Sequence, residues 1–392
     1  MASLIGAGFW LTMGTLTDVK EFGEANYFLS LASILSSASL LGLHLATMTY
    51  LPKGDQRLVQ QAAVIVVFTN AAVSIPFLIV SQYLPSTLMI LGTSFYAMTI
   101  ADVLGRKKYR SFLVLKIGER AVQFALSILL YLMMGVNGML IGYGVALLIF
   151  SYGFFKELKY SVSSIAGRKL VLSGSKSAVP NVKTGTTSSH LMRFTDAVKP
   201  KLKFITHAYA MSLAQSSTSY ADKLIIGPVF GFYILGLYQL GFQILLFAGV
   251  VPLSLGQYLL PQEASGAQGN RVKKIGLIFS ISLALILYLS LDWLINSFYP
   301  RYTEAIVPAK VMIIGIIPAT INAILNSELL GREQSKPVLI SSISYVISLF
   351  LLIYILGTNF GLMGLSVALV SSLSLQSIVL WLLGRSKKQN RV

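Results

Sequence analysis

Residues 220–261 read YADKLIIGPVFGFYILGLYQLGFQILLFAGVVPLSLGQYLLP, and the order of residues in this stretch decides the fold. A charged pair, Asp222-Lys223, interrupts an apolar run just before the break at Gly227-Pro228. A second, largely apolar run extends from Phe230 to Leu260 and closes at Pro261. Crossing the hydrocarbon of a bilayer takes about 20 such residues. Charges are costly there, so a pair kept beside the run is a candidate for a functional site.

The composition of the whole chain agrees with that setting. Of 392 residues, 55% are apolar and only 11% charged, with a mean hydropathy of +0.73. Soluble proteins carry about 25% charged residues, so most of this surface faces lipid rather than water. The chain has no cysteine, which excludes disulfides, thiolate metal sites and a cysteine nucleophile. A formal charge of +17 would suggest nucleic acid in a soluble protein. Here the positions of lysine and arginine explain it instead, and no nucleic-acid partner is expected. The N-terminus is apolar from its first residue and has no charge before Asp18. It reads as a first transmembrane helix rather than a removable segment.

Twelve apolar stretches can be drawn, over 2–16, 27–51, 59–80, 84–105, 109–134, 136–156, 204–227, 230–259, 275–298, 304–329, 336–357 and 361–384. The even-numbered connections hold Lys53 and Arg57, then Arg106, Lys107, Lys108 and Arg110, and later Arg271, Lys273, Lys274, Arg332 and Lys336. The odd-numbered ones hold only Lys20 and Arg301. This alternation is the positive-inside pattern and predicts a multi-pass cell-membrane protein with both termini cytoplasmic.

A repeat divides the spans into two sets of six. Leu104-Gly105-Arg106 at the end of span four recurs as Leu330-Gly331-Arg332 at the end of span ten. Asn137, Gly142 and Val145-Ala146-Leu147 recur as Asn359, Gly364 and Val367-Ala368-Leu369, and Leu51-Pro52 recurs as Leu260-Pro261. Six spans per set give both sets the same orientation, which is the parallel-repeat arrangement. The expected organisation is a first lobe over 1–158, a basic cytoplasmic linker over 159–203, a second lobe over 204–385 and a basic tail over 386–392. The linker is rich in Ser, Thr, Gly and Lys, with nine basic residues and one acid, Asp196. A solvated tether is the plainer reading of such composition, and contact with an anionic leaflet is the other.

Within the spans, polar residues gather on single helix faces. Lys116, Arg120, Gln123 and Ser127 follow at spacings of four, three and four, with Glu119 beside them. Such a stripe must look away from lipid, although Lys116 is near enough to a span end to snorkel. In span seven His207, Gln215, Thr218 and Asp222 share a face. The neighbouring serines suit helix packing equally well. Span ten places Lys310 with Asn322 and Asn326, and Pro308 and Pro318 predict kinks. Span two contributes Ser30, Ser33, Ser37 and His44, and span nine Asp292. His44 and His207 stand alone in sequence, so no metal site and no cofactor are expected. The candidate substrate-binding set is therefore Lys116, Arg120, Gln123, His207, Gln215, Asp222, Lys223, Lys310 and Asn322. Lys116, Arg120, Lys223 and Lys310 outnumber the acids Glu119, Asp222 and Asp292. An excess of cations suits an anionic head group, and arginine suits phosphate in particular.

The residues Asp222, Lys223, Gly227, Gly236, Tyr238 and Pro261, with Phe22-Gly23 and Leu51-Pro52 in the first half, resemble the polysaccharide flippases of the MATE/MurJ-like (MOP) transporter superfamily. Lys223 replaces that family's usual arginine, and Thr15 stands where the family carries another. The resemblance implies an all-α polytopic fold of about 12 transmembrane helices in two six-helix lobes. It also implies translocation of a lipid-linked oligosaccharide on a polyprenyl phosphate or diphosphate carrier by alternating access. By the same resemblance Asp222 and Lys223 lie in the substrate path or its outer gate. Its partners would be the glycan lipid, membrane lipids and glycan-assembly enzymes. A cation-coupled exporter of drugs or metabolites on the same scaffold is the alternative, with Asp222 or Asp292 as the coupling carboxylate. A membrane glycosyltransferase would need a cluster of acids for base or metal work, and the longest polar segment has one acid.

Overall fold

A backbone that crosses hydrocarbon must satisfy its own hydrogen bonds, and the helix does so within one segment. In the computed structural model, which describes residues 2–161, 197–264, 269–332 and 334–389, every regular element is helical. The helices are α1 (Ala2–Leu16), α2 (Val19–Leu40), α3 (Leu43–Tyr50), α4 (Gln56–Ser81), α5 (Leu84–Gly105), α6 (Tyr109–Ile149) and α7 (152–161). They continue as α8 (Leu202–Phe230), α9 (Phe232–Ala248), α10 (Val250–Ala264), α11 (Asn270–Phe298), α12 (Ile306–Ile314), α13 (Ile316–Gly331) and α14 (Ser335–Gln389). Exposed Phe68, Val114, Leu289 and Trp293 show how much apolar surface these helices leave for lipid.

Seven helical segments, with α9 and α10 taken as one and α12 and α13 as another, are long and apolar enough to cross a membrane, and α2 with α3 makes an eighth, bent by 55°. Two of them are double. α6 has 41 residues, which at about 1.5 Å per residue is roughly twice the hydrocarbon thickness. It breaks at Gly135, with φ 61° and ψ −145°. α14 has 55 residues and breaks at Gly361, with φ 56° and ψ −137°. Counting each half, and adding the shorter α1 and the more polar α8, gives the architecture of about 12 spans that the sequence predicts. The break in span ten falls at Gly315, three residues before Pro318, because Pro318 has no N–H to give to the carbonyl of Ile314. Pro308 lies in the first turn of α12 and bends nothing.

The chain forms two compact units, one of residues 1–5 and 31–215, the other of 6–30 and 216–392. The lobes drawn on the sequence put residues 6–30 with the first half instead, at a boundary of 158. Helix crossing explains the placement. A Cβ on Gly23 of α2 would sit 1.9 Å from the carbonyl oxygen of Phe232, and one on Gly236 of α9 would sit 1.9 Å from that of Val19. Only paired glycines let two backbones approach so closely. Around this crossing Trp10 meets Phe22 and Phe22 meets Tyr302 edge to face, and Tyr299 Oη donates to the carbonyl of Leu11 at 3.1 Å. The first unit has its own core of Leu40, Leu43, Leu58, Val66, Phe95 and Phe154.

The linker expected over 159–203 lies mainly outside the described residues, at 162–196. Its end is held to the first unit, where Ala197 N donates to Gln61 Oε1 at 3.0 Å and Lys201 pairs with Asp55. Burial pushes the Lys201 ammonium below its usual range. The tail expected from 386 continues α14 as helix to Gln389.

The repeat needs one correction. Gly135 and Gly361 occupy the same conformation, and Gly138 and Gly364 each press on a carbonyl, of Leu130 and of Leu356. Those pairs, and Arg106 with Arg332, share a separation of 226 positions. The pairing of Asn137 with Asn359 and Gly142 with Gly364 is four residues out of register.

Candidate functional site

Each unit carries its own set of polar groups at membrane depth. In the first unit they sit on α6 (Tyr109–Ile149). Glu119, Gln123 and Ser127 repeat every four residues and are 1%, 1% and 0% exposed. They form the innermost line of the stripe, with Arg120 and Lys116 half-buried at its edge. From spacing alone Glu119 falls beside the stripe, not on it. Arg120 reaches across its own helix, donating from one terminal nitrogen to Gln123 Oε1 at 2.7 Å, with its Nε 3.5 Å from Glu119 Oε2. The Lys116 ammonium lies 5.0 Å from the centre of the Tyr96 ring. Gln123 Nε2 and Ser127 Oγ are buried without a hydrogen-bond partner among the described residues, whereas the Glu119 carboxylate has Arg120 and the Tyr96 hydroxyl beside it. Unpaired polar atoms are expensive away from water, so this line of atoms is built to meet something polar. Two cations against one carboxylate leave it net positive. Tyr96 and Tyr143 complete the surroundings of Arg120, and sequence reasoning passed over both. A tyrosine inside an apolar span was the available signal, since a buried hydroxyl needs a partner.

In the second unit the opening pair is closed on itself. Lys223 Nζ donates to Asp222 Oδ1 at 3.0 Å and to the carbonyl of Ser219 at 3.0 Å, and it stands 4.0 Å over the Phe242 ring. Tyr238 Oη donates to Asp222 Oδ2 at 3.0 Å. Both residues are buried, at 2% and 3% exposure. His207 and Gln215 lie on the same α8 as Asp222, yet both are exposed. His207 Nδ1 is 2.7 Å from the carbonyl of Lys203.

Lys310 pairs with Asp292 at 2.6 Å and lies 5.2 Å from the centre of the Tyr288 ring. It shares no continuous face with Asn322, because the helix breaks between them at Gly315. Asn322 Nδ2 donates to the carbonyl of Leu373 and to Gln376 Oε1, both at 3.1 Å, and Ser377 Oγ donates to Asn322 Oδ1 at 2.7 Å. With Gln257 and Asn326 these amides line a groove of about 480 Å³ in the second unit. The structure thus groups Lys116, Arg120 and Gln123 on α6 and Asp222 with Lys223, while His207 and Gln215 are exposed on α8, Lys310 pairs with Asp292 and Asn322 joins the amide groove.

A further charged group closes the end of α5. Arg106 donates to Asp102 Oδ1 at 2.8 Å and to Glu157 Oε1 at 2.9 Å, and Gln56 Nε2 donates to Glu157 Oε2 at 2.9 Å. Burial pushes the Glu157 carboxyl above the usual carboxylate range, Asp102 adds to that, and Arg106 opposes it. Among the described residues no group of three or more His, Asp or Glu is placed to hold a metal ion.

No protein-family model matches the chain, and no curated protein matches it in sequence. Solved structures do match in fold. The lipid II flippase MurJ in an inward closed conformation superposes with a TM-score of 0.68 at 13% identity, covering 98% of this chain and 87% of that one. A multidrug resistance MATE family transporter of the MOP superfamily, inward-facing, gives 0.65 at 13% identity, covering 99% and 94%. A MOP superfamily transporter from Pyrococcus furiosus, described as having a binding pocket of reversed polarity, gives 0.59 at 14% identity, covering 98% and 91%. The fold of this chain is that of the MurJ and MATE transporters, and the chain is a multi-pass membrane protein.

Proposed function

We propose that this protein is a flippase that carries a lipid-linked oligosaccharide, on a polyprenyl phosphate or diphosphate, from the cytoplasmic to the outer leaflet by alternating access. The observation that carries the reading is the net-positive polar stripe of α6, where Arg120 and Lys116 edge a buried line that includes the open Nε2 of Gln123. A phosphate is the anion that an arginine fork suits best, and a sugar supplies the hydroxyls that orphaned amides and hydroxyls require. Likeness to a lipid II flippase supports a lipid-borne cargo, and the reversed pocket polarity of a neighbour shows that this fold tolerates more than one charge pattern. A cationic drug would call for the opposite charge, and the three acids Glu119, Asp222 and Asp292 each have a basic neighbour. In this reading Lys310 contributes by exchanging Asp292 for the cargo. Both termini face the cytoplasm, where the basic connections place them.

The test is reconstitution of the full chain in vesicles with a labelled polyprenyl diphosphate glycan, following its exposure to the outer leaflet. Arg120→Ala lowers the initial rate roughly ten- to a hundredfold, the value of a charge-assisted hydrogen bond, and Arg120→Lys recovers part of it. Lys310→Ala lowers it less. Full activity in Arg120→Ala, with the protein still monodisperse, would remove the phosphate role.

A further inference from the structure

Two pockets occupy matching places in the repeat, and nothing in the transport reading uses either. In the first unit a cavity of about 540 Å³ is lined by Thr99, Asp102 and Val103 of α5, by Arg106 just after it, and by Lys108 and Lys156. In the second unit a cavity of about 180 Å³ is lined by Leu325, Glu328 and Leu329 of α13, by Arg332 just after it, and by Trp381 and Arg385 of α14. The four helix positions correspond one to one at the repeat separation of 226. In both units the helix ends there on its arginine, whose backbone N–H bonds back to Asp102 or to Glu328.

The carboxylates in both pockets are already engaged. Arg106 takes Asp102 and Glu157, and Lys273 takes Glu328 at 2.5 Å. Lys108 and Lys156 in one pocket, and Arg332 and Arg385 in the other, are exposed and have no carboxylate within ion-pair distance among the described residues. The Arg385 guanidinium carbon lies 3.7 Å from the centre of the Trp381 ring, a cation–π contact. Exposed Tyr152 and Tyr160 border the first pocket and half-exposed Trp381 the second. Aromatic residues of this kind mark the level of lipid head groups. Basic pockets at the ends of membrane helices take the head groups of anionic lipids.

We propose that each unit holds the phosphate of one anionic membrane lipid at the basic end of its helices, between Lys108 and Lys156 in the first and between Arg332 and Arg385 in the second. These lipids are residents, distinct from any cargo, so the proposal stands or falls apart from the flippase reading. The larger first pocket accepts the larger head group.

Native mass spectrometry of the full chain, purified in detergent and supplied with phosphatidylglycerol or phosphatidylcholine, tests it. Wild type retains two molecules of phosphatidylglycerol per chain and no phosphatidylcholine. Lys108→Gln with Lys156→Gln leaves one, Arg332→Gln with Arg385→Gln leaves one, and all four together leave none. These side chains are exposed and the Arg106 bridge is untouched, so the variants keep the fold. Because the two pairs lie in different pockets, either pair alone decides the matter. An unchanged count in either pair overturns the assignment. So does displacement of the lipid by millimolar inorganic phosphate, which would make these sites for a soluble anion.

Discussion

Asp222 and Lys223 show what one residue's position can and cannot convey. A charged pair in an apolar run was visible at once, and its cost in hydrocarbon was reason to single it out. Its partners were not visible, because Tyr238 is 16 positions on and Phe242 further still, both on the next helix. The pair is neutralised, hydrogen-bonded and buried, and breaking such a pair costs about 3–5 kcal/mol while replacing both members can be neutral. Asp222→Ala therefore lowers the thermal midpoint of the purified protein by several degrees, and Asp222→Leu with Lys223→Met restores most of it. The opposite outcome, an unchanged midpoint with transport lost, would mean that the pair meets the cargo. At Arg120 the stripe was readable from spacing alone. That Glu119 rather than Arg120 lies deepest was not, since it depends on how α6 is rotated against α5.

At the scale of the helix, the breaks carry the information. Gly135 and Gly361 hold a φ and ψ combination that only glycine adopts freely. Open space surrounds the position of a Cβ at both. Alanine there meets no neighbour and pays in backbone strain alone, on the order of 1–3 kcal/mol. Gly135→Ala and Gly361→Ala each lower the thermal midpoint to a similar extent; a shift in neither would deny the strained geometry. The same glycines explain the register error in the repeat. Val-Ala-Leu words recur throughout an apolar chain, and a slip of four residues keeps every side chain near its original helix face. Sequence similarity alone is nearly blind to that slip, whereas a strained glycine is tied to one position.

At the scale of the molecule, orientation and grouping have different origins. Orientation follows from lysine and arginine in the connections, so a reporter fused after Val392 is expected on the cytoplasmic side. A reporter found outside would invert the topology and with it the proposed direction of transport. Grouping follows from contact. Residues 6–30 join the second unit through the crossing at Gly23 and Gly236, although they are far from it along the chain.

The number and length of the spans and the cation-bearing face of α6 were determined by the sequence itself, because each depends on hydropathy and charge within a few turns of one helix. The partners of Asp222, Lys223 and Lys310, the depth of Glu119, the true repeat register and the home of the first helix were decided only by tertiary packing. Each of those is a contact between segments distant in the chain, and an apolar sequence offers many pairings of nearly equal local quality, among which close packing selects one.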